Sequence, residues 1–399
     1  MALLKIEGVV QNYAWGGTQY IPNLIGKEPT GEKCAEYWMG AHDKAPATII
    51  STGQTFNKYI AANSQNLLGS AVFDAFGKLP FLFKVLDVND MLSIQVHPTK
   101  KEAEKGFAHE NELGIPLSAP HRNYKDDNHK PEIMVALGEF WLLHGFMPEG
   151  DLIKTLEDTP ELSHMVDVFK TSGYKGLYQH VMEESADETN KVLQPLIDRV
   201  LPLYKAGSLD KTSPDYWAAK AFLTFCPEGD LDKGIYSIYF FNIVKVNAGE
   251  AVFQDAGVPH AYMEGQNMEL MANSDNVLRG GLTPKHVDVP ELLKHVAFEE
   301  TIPNILTGDE QEDGLERIYK SPAPDFELSK ITLKPDSTYK STANTVEIVI
   351  ILQGKVRATC SSEKLELSKG EVFSVSAGDQ YKLEADEDSI LYKAKCPIL

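Results

Sequence analysis

Along most of the chain the apolar residues fall in short stretches rich in β-branched and aromatic side chains and bounded by turn residues, the pattern of strands. Residues 79–86 and 91–97 are two such stretches. In the second, alternation places Leu92, Ile94 and Val96 on one face and Ser93, Gln95 and His97 on the other. Residues 57–76 read as helical or irregular, and the charged stretch 100–114 as a solvated helix. Between residues 148 and 222 the period changes. Leu193, Leu196, Ile197, Val200 and Tyr204 recur at helical spacing and β-branched runs disappear. Pro195 inside that pattern predicts a kink or a late helix start. From Tyr236 the run 237–246 predicts a strand, and β character continues past Leu282. Residues 303–324, with the acidic run 309–313, read as a solvated connection, after which 326–399 alternates strands and turns. The expectation is a mainly β protein with a helical insertion: one β unit in two parts, 1–147 and 223–315, interrupted by helices over 148–222, then a separate all-β unit over 316–399.

An internal echo links the β units. Five residues separate Gly249 from Asp255, and Gly257 and His260 follow; Gly370, Ser376, Gly378 and Tyr381 repeat the spacing. It resembles the second half-motif of cupin barrels, Gly-x5-Pro-x-Gly-x2-His, in which glycines shape tight turns and a strand delivers a histidine inward. Neither copy keeps the proline, and Tyr381 stands where the second copy needs histidine. The fold expected is a cupin (jelly-roll) catalytic barrel, an α-helical domain, and a degenerate C-terminal cupin barrel without metal.

Composition narrows the function. The 399 residues include 38 Lys and Arg against 58 Asp and Glu, a formal charge of −20, and such a field repels phosphate backbones, so nucleic acid is not an expected partner. The apolar stretch from Val349 to Leu352, with Val346 and Ile348 before it, is far shorter than the ~20 residues of a membrane span. The N-terminal residues lack the basic and long apolar regions of a signal peptide. Cys34, Cys226, Cys360 and Cys396 are scattered without CxxC spacing, which predicts neither a disulfide framework nor a thiolate metal knuckle. A monomer in a reducing cytoplasm is expected.

The candidate chemistry is a metal site. Gln95 and His97, two residues apart on one strand, point two metal-capable groups into one cavity. Glu132, in period-2 register with Lys130, adds a carboxylate, and His260 completes a mixed nitrogen and oxygen set. A single anionic ligand leaves the ion with net positive charge and open positions, which suits Lewis-acid catalysis better than a closed structural site. Iron or manganese would use similar ligands, so spacing alone does not fix the metal. His42, His109, His121 and His164 read as surface or packing residues.

Two long segments make the resemblance specific. YKDDNHKPE at 124–132 and HAYMEGQNMELMANSDNVLRGGLTPK at 260–285 resemble the signature segments of type I mannose-6-phosphate isomerases, also called phosphomannose isomerases. Residues 11–16, 35–40, 79–86 and 92–98 match further pieces, so the resemblance spans most of the chain outside the helical insertion and the C-terminal unit. One departure is Gly280, where the family usually has alanine, and a looser turn is expected there. The resemblance implies one Zn²⁺ per chain on Gln95, His97, Glu132 and His260, an active-site role for Arg279, and a small sugar phosphate as substrate.

Interconverting an aldose and a ketose phosphate moves a proton between C1 and C2 while negative charge builds on the sugar oxygens. Zinc with an open face can hold that charge in a cis-enediolate, and a positioned acid/base contributes typically about 10²–10⁴-fold. Glu269, Lys130, His129 and Asp275 are the acid/base candidates. Lys84, inside an apolar strand, must snorkel, pair or function, and the resemblance favours function, as a substrate-binding residue. Arg279 is assigned to the reacting end, Lys285 and Ser93 to phosphate, and Tyr262, Trp15 and Glu36 to the pocket wall, with Tyr37 and Trp38 as packing. A metal-dependent cupin oxygenase and a non-catalytic sugar-binding cupin are the alternatives.

Overall fold

The computed structural model of the chain describes residues 3–227 and 229–397. Strands of these residues form sheets of ten, eight and four, and every pairing between named strands is antiparallel. Among the described residues neither β unit is hydrogen-bonded into a closed barrel, so the closed form of the expected cupin barrels is not seen.

The ten-stranded sheet is organised by one long strand, His260–Ala272. Its first residues pair with Gln95–Val96 and with Phe140–Phe146, and its second half pairs with Phe81–Val88 and Glu132–Ala136. Gly265 marks the switch. Its φ is +125°, and a Cβ there would sit 2.6 Å from the Glu139 carbonyl oxygen, so only glycine lets the strand change partners. In Phe81–Val88 the odd positions Phe81, Phe83 and Val85 join one core cluster, while Leu86 and Val88 join another on the inner face. Both faces are covered, which explains a strand without polar alternation apart from Lys84 and Asp87.

Several expectations change. Only Gln95–Val96 of the stretch 91–97 is strand. Met91, Ile94 and Val96 pack toward the helices, whereas Leu92 packs against the inner-face cluster with Tyr262, so alternation fails before Ile94. The helical block is Glu149–Asp158, Met165–Glu183, Ala186–Lys205, Pro214–Phe225 and Gly234–Phe240. Residues 237–240 are therefore helix, and the strand starts at Phe241. Every residue of Gly234–Phe240 is buried, so the run carries no amphipathic period to tell helix from strand. Pro195 neither delays nor ends its helix. A capping box of Ser185 and Glu188 starts it at Ala186, and the buried row Leu193, Leu196, Ile197 and Val200 holds it through both Pro195 and Pro202.

The stretch 303–324 is more than a connection, because Asp309–Glu310 and Glu316–Tyr319 extend the edge of the eight-stranded sheet. That sheet also takes in the N-terminal strand Leu3–Glu7, which pairs with Val372–Val375. A single apolar cluster runs from Phe81, Phe83, Ile133 and Leu270 of the ten-stranded sheet to Phe326, Ile348 and Ala394 of the eight-stranded one and its approach. The two β units thus share a core instead of meeting at a wet joint. The echo holds in backbone geometry: Gly249, Gly257, Gly370 and Gly378 have φ of +87°, +80°, +82° and +85°.

Candidate active site

His97 and His260 are buried, and each ring is fixed by its Nδ1: His97 to the Asn276 carbonyl oxygen at 2.9 Å, His260 to the Val258 carbonyl oxygen at 2.9 Å. Each Nε2 is buried without a hydrogen-bond partner. Both face Glu132, His97 Nε2 at 3.5 Å from Oε1 and His260 Nε2 at 3.5 Å from Oε2. The ligand atoms of the three residues lie within 4.8 Å of one another. Two orphaned imidazole nitrogens with a carboxylate between them fit a divalent ion, and backbone acceptors on the far nitrogens leave each Nε2 free to bind it. Gln95 is directly opposite both His260 and Arg279 in the sheet, so one short strand joins the histidine to the arginine.

Behind this group the inner face carries buried charge. Lys84 lies directly opposite Glu269 and opposite Trp38 on the flanking strands. Its Nζ is 2.8 Å from Glu269, 3.6 Å from Glu36 and 5.5 Å from the Trp38 ring centroid. Burial pulls the Lys84 pKa down, but Glu269, Glu36 and Glu132 outweigh it and hold the ammonium above its ordinary value. Glu269 is pushed up by burial, against the pull of Lys84. Burial also pushes Glu132 up, yet Lys130 at 3.0 Å and His97 overcome it and leave this carboxyl well below its usual range. Three carboxylates against two ammonium groups leave one net negative charge, which a divalent ion turns positive.

The open side is a cleft of ≈ 840 Å³, lined by Trp15, Glu36, Ser93, Gln95, Arg279 and Lys285 among others. Arg279 and Lys285 have no carboxylate partner among the described residues, and burial lowers the pKa of both, with Arg279 adding to the shift at Lys285. Two unpaired cations in a protein of charge −20 form a local anion site. Gly280 is not a loosened turn: a Cβ there would meet the Tyr178 hydroxyl at 2.6 Å, so the missing methyl makes room for a helical-block tyrosine.

The remaining candidates are placed differently. Tyr262 is buried beside Glu269 and does not line the cleft. Asp275 is held 2.6 Å from Lys44 and near His42, and its amide donates to Asp126. His129 is bound to Asp325 at 2.8 Å. Sequence reasoning missed Trp38, whose indole donates to Glu36 and which is therefore more than packing. It also missed the helical wall of Leu223, Thr224 and Phe225, and it read Tyr204 only as part of the helix's apolar row, because helical spacing does not show which helix ends border a cleft.

The buried histidines set an acid limit. Burial, with Lys130 adding, pulls His97 down to about 4, and burial pulls His144 down to about 4. Each is neutral in the fold but takes a proton near 6.5 when unfolded, so the stability involved is complete above that pH and drains away toward pH 4, on the order of 3 kcal/mol per group. Urea titrations of metal-free protein at about pH 7.5, 6 and 4.5 should show this decline; a flat profile would contradict it.

A family model described as phosphomannose isomerase type I, catalytic domain, matches residues 3–149. The mannose-6-phosphate isomerase of Escherichia coli (strain K12) is 36% identical over 384 residues, covering 94% of this chain and 95% of that protein. The Homo sapiens mannose-6-phosphate isomerase is 33% identical over 431 residues, covering 99% and 98%. The crystal structure of the Salmonella typhimurium mannose 6-phosphate isomerase bound to substrate and zinc matches with a TM-score of 0.89 and 32% identity over 100% of both chains. With that likeness running the length of the polypeptide, the chain belongs to the type I phosphomannose isomerase (mannose-6-phosphate isomerase) family.

Proposed function

We propose that this chain interconverts mannose 6-phosphate and fructose 6-phosphate by moving a proton between C1 and C2 through a cis-enediolate. The observation that carries this is the buried His97, Glu132 and His260 cluster, with two orphaned Nε2 atoms, joined through Gln95 to a cleft lined by two unpaired cations. Gln95, His97, Glu132 and His260 would hold one Zn²⁺, which when bound supplies Lewis-acid stabilisation of charge on the sugar oxygens.

The protein's own groups do the rest. In this reading Glu269, a carboxylate raised by burial and steadied by Lys84, accepts the carbon-bound proton, since a base works best with its pKa drawn toward the working pH. In the same reading Lys130, 3.0 Å from Glu132, exchanges the oxygen-bound proton. Arg279 steadies the anionic sugar; Lys285 and Ser93 take the phosphate; Trp15 and Glu36 bound the sugar, and Tyr262 supports Glu269 from behind. Asp275 and His129, each engaged by a partner, serve as supports in this reading.

The architecture proposed with it is a catalytic cupin unit over 1–147 and 223–315, a helical domain over 148–222 and a metal-free cupin-like unit over 316–399. At the position of the echoed histidine, Tyr381 donates to Glu347, and Lys393 lies 2.9 Å from Glu316 and 3.7 Å from Glu347, so an ammonium group takes the place of an ion. The protein is proposed to act as a cytoplasmic monomer without nucleic-acid or membrane partners. All four cysteines are free, and no helix among the described residues is long and apolar enough to cross a membrane.

The test is a coupled assay supplying mannose 6-phosphate and following fructose 6-phosphate, with chelation and Zn²⁺ restoration. Arg279→Ala should lower kcat by about 10²-fold with a smaller rise in KM, whereas Lys285→Ala should raise KM about tenfold and leave kcat within about threefold. Oxygen consumption with substrate would favour the oxygenase reading, and zinc binding without product the non-catalytic one.

A further inference from the structure

The loop 124–131 carries Lys130 to the active site and leads into the strand Glu132–Ala136. On one side it is laced to its own β unit. Asp126 accepts from the Asn128 amide, the Ser274 hydroxyl and the Asp275 amide, and Asn276 Nδ2 donates to the carbonyl oxygens of Asp126 and Asn128. Its other side is held from the C-terminal part of the chain. His129 Nε2 lies 2.8 Å from Asp325 Oδ2, across 196 residues of sequence.

Asp325 is 2% exposed, and His129 is its side chain's one polar partner among the described residues. A buried carboxylate is costly without a donor, so the contact is strongly favoured. Its anchor is rigid. Ala323 and Phe326, on either side of Asp325, are buried in the core shared by the two β units, and Cys396 Sγ donates to the Asp325 carbonyl oxygen at 3.4 Å. A loop clamped between its own sheet and a fixed carboxylate has little freedom to carry Lys130 away from Glu132.

We propose that Asp325 is a positioning residue: through His129 it holds the loop that presents Lys130, and this is how the metal-free C-terminal unit serves the reaction. The proposal rests on the isomerase reading for its kinetic consequence but not for the clamp itself. A loop displaced by about 1 Å can cost about 10²-fold in rate.

The experiment compares zinc-loaded wild type, Asp325→Ala, His129→Ala, the double variant and Asp325→Asn by steady-state kinetics and by amide hydrogen exchange over 124–131. Asp325→Ala and His129→Ala should each lower kcat about 10–100-fold with KM within about threefold. The double variant should be no worse than either single one, because both remove the same contact. Asp325→Asn keeps an acceptor for the imidazole and should recover to within about fivefold of wild type. Exchange over 124–131 should quicken in the alanine variants while the strand Phe81–Val88 keeps its protection. Losses that multiply in the double variant, or unchanged exchange over the loop, would overturn the proposal. A wild-type protein that makes no product would instead defeat the isomerase reading, while the exchange data still decide the clamp.

Discussion

Replacing Glu132 by alanine should lower turnover by at least about 10³-fold and leave the purified protein with well under one zinc per chain. Glu132 is the single anionic member of the proposed ligand set, and both histidine Nε2 atoms face its two oxygens at 3.5 Å. Without it the ion would rest on neutral donors beside the Lys130 ammonium, which is then unpaired as well. Glu132→Gln separates charge from shape: it preserves the side chain's volume and an acceptor, so the fold and the His97 and His260 rings should stay in place while affinity falls. Zinc content by mass spectrometry, read alongside kcat at saturating Zn²⁺, checks the point. Full zinc occupancy in Glu132→Ala with turnover within about tenfold of wild type would sink the assignment, and restoration by excess Zn²⁺ alone would show that the carboxylate serves affinity only.

How much of this was legible in the sequence depended on how local each signal is. Gln95, His97, Glu132 and His260 could be proposed together because inward delivery on a strand is a two-residue pattern and the glycines around His260 demand left-handed backbone that the structure does adopt; the structure brings His97, Glu132 and His260 together, with Gln95 opposite His260. The helix at residues 234–240 was misread because burial on all sides erases periodicity. Lys84 could be marked as anomalous from its apolar neighbours, but its partners Glu36 and Glu269 lie on other strands and emerge only with the register. The same holds for Asp325, which has no motif and acquires meaning only when the shared core brings it to His129. His129 and Asp275 looked chemically capable from sequence; their existing partners, Asp325 and Lys44, come from distant parts of the chain. The room that Gly280 leaves for Tyr178 is equally invisible without the helical block in place.

Lys84→Met should destabilise the protein by about 3–5 kcal/mol near pH 8, because it leaves Glu269 and Glu36 buried without their counter-charge. The loss should depend on pH in a specific direction. Glu269 is already pushed above its ordinary carboxyl value by burial, and Lys84 is the leading influence holding it down, so removing the lysine raises it further. A carboxyl whose folded pKa exceeds its unfolded one costs nothing below the unfolded value near 4.5 and costs progressively more as pH climbs toward the folded value. Lys84→Met should therefore sit closest to wild type near pH 5 and fall away toward pH 8 in chemical denaturation. The double variant Lys84→Met, Glu269→Met removes the closer pair and should regain a large part of the lost stability, since a buried ion pair replaced by apolar groups of similar volume is often neutral; Glu36, left with the Trp38 indole as donor, accounts for the remainder. It should regain none of the activity if Glu269 moves the carbon-bound proton. A double variant that is both stable and active would mean that the pair is structural and that Glu269 does not move the carbon-bound proton.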